Sequence, residues 1–328
     1  MWSGVRCTSK TILPAVLAVS LSVSGCSFGN GLSDAFAVDR PGLGVQSQEE
    51  EADISYFAAD LCVANEDVEA IEADTSRALA ACFFNLDTKE ILYAKNVHDR
   101  LYPASTTKIM TALVALKHGD LEAQTSVSKE AITFTESGVS TAQLKEGDVL
   151  TTRQLLYALL TVSANDAANV IAEQIGGSQE QYVEMMNEEA LRVGATNTHF
   201  VNPSGLHDEE HYTTVYDLYL MFNEAMKYDD FIDMIKAPSY DVSYVAADGS
   251  AVEKTWSSSN LFTKGEVTVP DGMTAVGGKT GTTMAAKSCL VELFEGRQGT
   301  RYVAIILGCD ERAILYQEMQ SFLSALEN

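Results

Sequence analysis

The amino-acid sequence predicts an α+β fold, with an antiparallel sheet flanked by terminal helices and a helical lobe inserted between its strands. Three observations predict this fold. Strand patterns lie near both ends of residues 76–328, amphipathic helical patterns fill the middle, and no internal repeat interrupts the series. Roughly 250 residues suffice for one large domain or two closely packed lobes.

The elements are predicted in order along the chain. Residues 77–95 form a strand pair that turns at Asp87-Thr88, and residues 240–256 form a hairpin that turns at Asp248-Gly249. A third hairpin follows Lys279. The helices are predicted at 152–160, 165–175, 178–193, 213–227 and 311–326, and the lobe covers about 120–235.

Helix boundaries carry their own signals. Thr151 or Thr152 precedes the first interior helix, and Thr214 stands three residues before Asp217 at the start of another. Gly176-Gly177 and Gly194 follow helical patterns, where glycine accepts the left-handed conformation that ends a helix.

The first 25 residues are predicted to be a signal peptide. Arg6 and Lys10 make a basic start, and the apolar run from Thr11 to Val23 is short for a membrane span. Val23-Ser24-Gly25-Cys26 matches a bacterial lipoprotein cleavage box, which predicts that Cys26 is lipidated and anchors the protein on the extracytoplasmic face of a bacterial membrane. A plain signal peptide cut nearby is the alternative.

Residues 26–75 are predicted to be an acidic tether. Twelve acidic residues against Arg40 alone make residues 27–75 self-repelling, and the second half has enough apolar residues to form a helix that docks on the domain. The net charge of −24 over the whole chain argues against nucleic acid as a partner.

Four cysteines remain beyond the export segment: Cys62, Cys82, Cys289 and Cys309. Four cysteines outside the cytoplasm allow three pairings, but three of these lie in or beside apolar strand patterns, where free thiols are common. Both states stay open, and none of the four is predicted to be a nucleophile.

The run Ser105-Thr106-Thr107-Lys108 follows Pro103 and begins a predicted helix. Residues i and i+3 share a helix face, so Ser105 and Lys108 are expected to be neighbours. Serine needs a base beside it, and lysine serves as one only when desolvation or a second cation lowers its pKa. An ordinary polar first turn is the structural alternative.

Two later runs supply further groups. Ser163-Ala164-Asn165 falls on a short turn between two predicted helices, where simple helix capping is the alternative interpretation. Lys279-Thr280-Gly281 lies in a Gly-rich strand that a substrate backbone can approach closely, and Lys279 is the candidate second cation. A phosphate-binding loop is excluded, because Met273 replaces its first glycine and a hairpin follows instead of a helix.

His207 and His211 enclose three acidic residues and are candidate zinc ligands. Gly205 and the cap at Thr213 favour a loop instead of a helix that would place both rings on one face. No metal site and no cofactor is predicted.

These three motifs, in this order, resemble the low-molecular-mass penicillin-binding proteins of the D-alanyl-D-alanine carboxypeptidase family, within the group that includes class A β-lactamases. The resemblance covers roughly 76–328 and includes the stretches 197–206 and 212–214. It implies a β-lactamase/transpeptidase-like fold and a serine DD-carboxypeptidase that removes the terminal D-alanine from peptidoglycan stem peptides. It also implies covalent inhibition by β-lactam antibiotics.

The resemblance also assigns roles to individual residues. Ser105 attacks the D-Ala-D-Ala carbonyl, Lys108 takes its proton, and Ser163 relays a proton to the leaving amine. Asn165 orients the substrate amide. Lys279 and Thr280 bind the terminal carboxylate, beside Gly281, and the backbone N–H groups of Ser105 and Thr282 form the oxyanion hole.

Two other functions are alternatives to this one. A class A β-lactamase needs a glutamate that activates water, found as Glu-x-x-Leu-Asn between the second and third motifs, and no such run occurs here. Ala164 also stands where those enzymes usually carry Asp. A non-catalytic β-lactam sensor or wall-binding lipoprotein is disfavoured, because every catalytic part is intact and no signalling helix is recognised.

Overall fold

The computed structural model describes residue 58 and residues 60–326, and the predicted α+β architecture is present there. The strands are β1 (Val68–Glu69), β2 (Ala80–Asn85), β3 (Ile91–Lys95), β4 (Gln124–Ser126), β5 (Val149–Thr151), β6 (Ser239–Val245), β7 (Ala251–Ser257), β8 (Thr274–Thr283), β9 (Lys287–Glu295) and β10 (Arg301–Cys309). The α-helices are α1 (Lys108–His118), α2 (Thr152–Thr161), α3 (Asn165–Gly176), α4 (Gln179–Val193), α5 (Val215–Ala225), α6 (Asp229–Ile235) and α7 (Arg312–Ala325).

Six strands form the main antiparallel sheet, in the order β1-β3-β2-β10-β9-β8. Every residue of β2 is buried, because both faces of the sheet are covered. Successive side chains of a strand point to opposite faces, so Phe83 packs with Phe322 of α7 while Phe84 packs with Tyr219 of the helical lobe. The strand β8 is an edge of this sheet and carries the third motif.

The helix boundaries agree closely with the predicted ones. Thr151 caps α2 with a full capping box: it accepts from the Gln154 N–H, and the Gln154 side chain accepts from the Thr151 N–H. Gly177 ends α3 in the left-handed conformation (φ 83°), as glycine does without steric cost. These caps set the ends of the two helices that flank the second motif.

The hairpin predicted over 240–256 is present as β6 and β7, but it does not join the main sheet. Val149 of β5 pairs with Val245 of β6, which produces a second sheet in the order β4-β5-β6-β7. The structure thus has two antiparallel sheets where the sequence predicted one. Strand patterns are local, whereas the choice of partner strand depends on residues far apart in the chain.

Residues 60–75 differ from the predicted tether. Val68 and Glu69 pair with Ala94 and Tyr93 of β3, and the Cys62 N–H donates to the Tyr219 hydroxyl at 2.8 Å. The docking helix expected in this segment is wrong for these residues, and the packed domain begins before residue 76. An edge strand offers unpaired backbone groups, which favours an extended partner over a helix.

Among residues 60–326, no helix is both long and apolar enough to cross a bilayer. The predicted signal peptide (1–25), the lipidation site Cys26 and the tether as far as residue 57 lie outside the described residues.

Candidate active site

Ser105 and Lys108 are brought together at the start of α1. A 3-10 turn, Ala104–Thr107, replaces the first α-helical turn and leads into Lys108. A 3-10 turn has three residues per turn, so positions i and i+3 eclipse each other. The Lys108 Nζ consequently lies 2.9 Å from the Ser105 Oγ.

The residue before Ser105 has an unusual backbone. Ala104 has φ 49°, which costs an L-residue about 1 kcal/mol or more and persists only where its surroundings hold it. The Thr107 hydroxyl donates to the Ala104 carbonyl at 2.8 Å. Gly205 packs on the same carbonyl so closely that a Cβ there would lie 1.9 Å from the oxygen. These contacts fix the turn that presents Ser105.

Lys108 is completely buried and has three oxygen neighbours. Besides Ser105 Oγ, its Nζ contacts Asn165 Oδ1 at 2.6 Å and the Ser204 carbonyl at 2.5 Å. Burial lowers the pKa of Lys108 well below its ordinary value, and the charge of Lys279 lowers it further, while Asp166 acts in the opposite direction. A lysine whose pKa is lowered in this way loses its proton more readily and then holds an unshared pair of electrons.

The second motif lies where the sequence placed it. Ser163 occupies the turn between α2 and α3 with φ 61°, and Asn165 is the first residue of α3. Lys279 of β8 donates to the Ser163 Oγ at 3.0 Å and to the Thr280 carbonyl at 2.8 Å. Burial lowers the pKa of Lys279 to about 7. The two lysines thus each contact one serine hydroxyl.

The glycine at position 281 lets β8 approach Ser105. A Cβ on Gly281 would lie 2.9 Å from the Pro103 carbonyl and 3.0 Å from the Ser105 nitrogen. Thr280 and Thr282 flank it, and the Thr280 hydroxyl bonds to that of Ser259 at 2.6 Å. Both threonines line a cleft of about 190 Å³ together with Ser105, Ser140, Ser163, Ser259, Ser288, Cys289 and Arg312.

Several residues of this site were not predicted. Asn202 accepts from the Ser204 and Gly205 N–H groups at 3.1 and 2.7 Å, which shapes the turn whose carbonyl meets Lys108. Asp166 accepts from the N–H groups of Ala142 and Leu144, which holds the loop carrying Ser140 against the cleft. Asp166 directly follows Asn165, and Asn202 lies within the stretch 197–206 that resembles the family. These positions were the features of the sequence that could have indicated a role in the site.

Arg312, at the start of α7, was also missed. Its guanidinium donates to the Ser259 carbonyl and lines the cleft beside Thr280. The only hint in the sequence was its position at the start of the final predicted helix, and that pattern does not reveal which strand the helix abuts.

His211 is buried and acts within the protein. Its Nδ1 accepts from the Val201 N–H at 3.2 Å, and its Nε2 bonds to the Thr107 hydroxyl at 2.8 Å. Both ring nitrogens are therefore occupied. Burial lowers the pKa of His211 to about 3, so the ring is neutral at ordinary pH. Among the described residues no group of three or more possible metal ligands is found.

The four cysteines of the domain are buried and unpaired in the structure. Cys289 borders the cleft, and burial raises the pKa of its thiol to about 12. A thiol so rarely ionised is a poor nucleophile compared with Ser105 beside its lysine.

Comparisons with known proteins agree with this geometry. Residues 67–311 match the family model described as D-alanyl-D-alanine carboxypeptidase. The chain is 34% identical over 232 residues to the D-alanyl-D-alanine carboxypeptidase of Streptomyces sp. strain K15, covering 68% of this chain and 78% of that protein. It is 40% identical over 157 residues to D-alanyl-D-alanine carboxypeptidase DacF of Bacillus subtilis. That match covers 46% of this chain and spans 40% of the relative's own length.

A solved structure is similar as well. The Streptomyces K15 DD-transpeptidase superimposes with a TM-score of 0.71 at 29% identity, covering 78% of this chain and 98% of that one.

Proposed function

The chain belongs to the D-alanyl-D-alanine carboxypeptidase family, and from this premise we propose that it is a serine hydrolase that removes the terminal D-alanine from peptidoglycan stem peptides through an ester at Ser105. One observation carries the mechanism: the three oxygen neighbours of the buried Lys108 amine.

The arrangement around Lys108 orients a neutral amine. Such an amine has two hydrogens and one unshared pair. Asn165 Oδ1 and the Ser204 carbonyl can only accept, so they take the two hydrogens. The unshared pair then faces Ser105 Oγ, whose proton it removes as the oxygen attacks the D-Ala-D-Ala carbonyl. The backbone N–H groups of Ser105 and Thr282 stabilise the resulting oxyanion.

Ser163 and Lys279 serve the leaving group. Lys279 donates to the Ser163 Oγ, which orients the Ser163 hydroxyl proton toward the departing D-alanine nitrogen. With its pKa near 7, Lys279 can replace that proton at neutral pH. Its positive charge, the Thr280 hydroxyl and the Arg312 guanidinium together suit the terminal carboxylate. Asn165 can use its amide N–H groups on the substrate, because its oxygen is held by Lys108.

The slow step with penicillin is the removal of the acyl group. Among the residues that line the cleft in the described part of the chain, none is an aspartate or glutamate. A β-lactamase uses such a carboxylate to activate water. After peptide attack the free D-alanine departs and leaves room for water, whereas the opened ring of penicillin stays attached to its amine. This difference favours a carboxypeptidase over a β-lactamase.

The enzyme acts on the cell wall outside the cytoplasm, and a lipid on Cys26 anchors it. The support is the sequence Val23-Ser24-Gly25-Cys26 after a short apolar run. Cys26→Ser should release the protein from membranes in a fractionation experiment. Retention of the variant would show that a different anchor exists.

The activity is tested by incubating the protein with cell-wall pentapeptide and measuring D-alanine release by mass spectrometry. Wild type should release D-alanine, and Ser105→Ala should release none. Penicillin should add its mass to wild type but not to Ser105→Ala. Release of penicillin at the rate of peptide turnover would instead support a β-lactamase.

A further inference from the structure

A glutamate lies buried in the middle of the main sheet, among apolar side chains. Glu292 of β9 is 0% exposed, and its neighbours in the sheet are Gly278 of β8 and Ala304 of β10. Alternate residues of a strand share a face, so its side chain lies on the same face as Leu290 and Phe294, which pack in the apolar cluster beneath α7. Nothing in the acyl-transfer mechanism above uses this carboxyl group.

The carboxyl group of Glu292 is held by Asn260. The Asn260 Nδ2 donates to Glu292 Oε2 at 2.6 Å, and Oε1 has no hydrogen-bond partner among the described residues. Burial raises the pKa of Glu292 to about 8, so the group is mostly a neutral carboxylic acid at pH 7. Gly278 leaves room for it, because a Cβ there would lie 2.5 Å from Oε2. Removing Glu292 or Asn260 would leave the other buried without this hydrogen bond, which costs free energy.

Both ends of the Asn260 amide are committed. Its Oδ1 accepts from the Phe262 N–H at 3.1 Å, and a backbone N–H can only donate, so the Nδ2 end must point to Glu292. The Tyr316 hydroxyl of α7 contacts the same Oδ1 at 3.4 Å and accepts from the Leu261 N–H at 3.0 Å. Asn260 therefore fixes the turn 258–262 against β9 and α7.

The same turn forms a wall of the active-site cleft. Ser259, one residue before Asn260, lines the cleft, and its hydroxyl bonds to that of Thr280 at 2.6 Å. The Ser259 carbonyl accepts from the Arg312 guanidinium. Thr280 and Arg312 are groups that the proposed function assigns to the terminal carboxylate of the substrate. The turn thus joins Glu292 to two of the groups that bind this carboxylate.

The position of Ser259 decides what the Thr280 hydroxyl can do. A hydroxyl has one hydrogen and can accept a hydrogen bond at the same time. When Ser259 donates to the Thr280 oxygen, the Thr280 proton is left for the substrate carboxylate. A hydrogen bond from a hydroxyl to a carboxylate is strong at about 2.5–2.7 Å, so a small displacement of the turn weakens it.

We propose that Glu292 is a positioning residue for recognition of the substrate's terminal carboxylate. Through Asn260 it holds the turn that carries Ser259. Ser259 then orients the Thr280 hydroxyl and the Arg312 guanidinium. Glu292 itself does not touch the substrate. The inference rests on the proposed function, since it requires that a peptide carboxylate binds at Thr280.

The test compares a peptide ending in D-Ala-D-Ala with the same peptide ending in D-Ala-D-alaninamide, which has no terminal carboxylate. Wild type should have the higher kcat/KM on the acid. Glu292→Leu cannot accept from Asn260 and should lower the acid-to-amide ratio of kcat/KM about tenfold, the effect of weakening a hydrogen bond to a charged group. Glu292→Gln keeps a neutral oxygen acceptor and should retain the ratio within about twofold.

Glu318→Leu is the matched control. Glu318 of α7 is also buried, its carboxylate accepts from the Arg77 N–H at 2.6 Å, and it does not line the cleft. Its replacement should lower Tm and leave the acid-to-amide ratio unchanged, which separates positioning from a general loss of stability. If Glu292→Leu does not fold, Ser259→Ala interrupts the same connection at the cleft surface and should lower the ratio.

The contrary outcomes are distinct. A wild-type ratio in folded Glu292→Leu or in Ser259→Ala would overturn the positioning role, and so would a Glu292→Gln variant as impaired as Glu292→Leu. Equal rates of wild type on the acid and the amide would overturn it too, while leaving the serine hydrolase standing. Cleavage of neither peptide, with Ser105 still acylated by penicillin, would overturn both proposals.

Discussion

The site contains two serine–lysine pairs that share residue types but differ in surroundings. Lys108 has two oxygen acceptors besides Ser105, whereas Lys279 has one besides Ser163, the Thr280 carbonyl. Both lysines are fully buried, but the pKa of Lys108 is lowered by Lys279 in addition to burial, whereas burial alone lowers the pKa of Lys279 to about 7. These surroundings suit the proposed roles, in which Lys108 removes a proton and Lys279 supplies one.

Each pair depends on a backbone conformation that L-residues rarely adopt. Ala104 precedes the first serine with φ 49°, and Ser163 itself has φ 61°. In the first pair the strain lies in a residue next to the nucleophile, held by Thr107 and Gly205. In the second pair the strain lies in Ser163 itself, which occupies the turn between α2 and α3. Four substitutions would break or sharpen the comparison.

Lys108→Ala should have the largest effect. It removes the base and leaves Asn165 Oδ1 and the Ser204 carbonyl without their donor, and general-base assistance alone contributes about 10²–10⁴-fold. We expect penicillin acylation to slow by about 10³-fold or more in stopped-flow measurements. As a control, Lys129→Ala changes an exposed lysine and should acylate normally. A Lys108→Ala rate within tenfold of wild type would show that another group takes the proton.

Lys279→Ala should have a smaller effect of a different kind. It removes a carboxylate partner, so we expect kcat/KM for peptides to fall about 100-fold. It also removes the cation that lowers the pKa of Lys108, so that pKa should rise. In the proposed mechanism Lys108 must be neutral to act. The pH below which the acylation rate falls should therefore move to a higher value. An unchanged pH profile would show that the two lysines do not interact.

Asp166→Asn should move the acidic side of the acylation pH profile in the opposite direction, to lower pH. The Asp166 carboxylate raises the pKa of Lys108, so neutralising it should lower that pKa and extend acylation to lower pH. Asn keeps an oxygen for the Ala142 N–H but loses the acceptor for Leu144, so the rate at neutral pH should fall less than about tenfold. Penicillin acylation across pH 5–9 measures both effects, with the exposed Asp99→Asn as control. A shift to higher pH would contradict the assigned sign.

His211→Gln should have the smallest effect on catalysis and should change stability instead. Burial lowers the pKa of folded His211 to about 3, so the unfolded chain binds more protons between about pH 6.5 and 3. Wild type should therefore lose stability as pH falls through that range, by up to about 1.4 kcal/mol per unit from this group. The glutamine variant lacks this contribution.

Thermal unfolding at pH 7 and pH 5 measures the difference for His211. The fall in Tm between the two values should be smaller in His211→Gln than in wild type. An equal fall in both proteins would mean that His211 does not titrate on unfolding.

The helices and motifs were predictable because their signals are local. Thr151 and Gln154 show a capping box within four residues, and Ser105 and Lys108 share a turn whichever helix type forms there. Residues 60–75 were placed in the tether by composition, yet Val68 and Glu69 within them pair with β3. Composition measures how soluble a segment is, and it does not show whether a sheet edge nearby can accept it.

The sequence by itself determined the α+β class, the helix ends and the order of three motifs that supply the serines and lysines. Those depend on residue types at short spacings, which the chain shows directly. Only the tertiary structure decided that the Ser204 carbonyl completes the surroundings of Lys108, that His211 holds Thr107, and that Arg312 enters the cleft. A main-chain carbonyl is the same in every residue, and burial depends on distant segments. The sequence therefore identified the serine and lysine side chains of the site, whereas tertiary packing decided their hydrogen-bond partners and so the orientation of each proton.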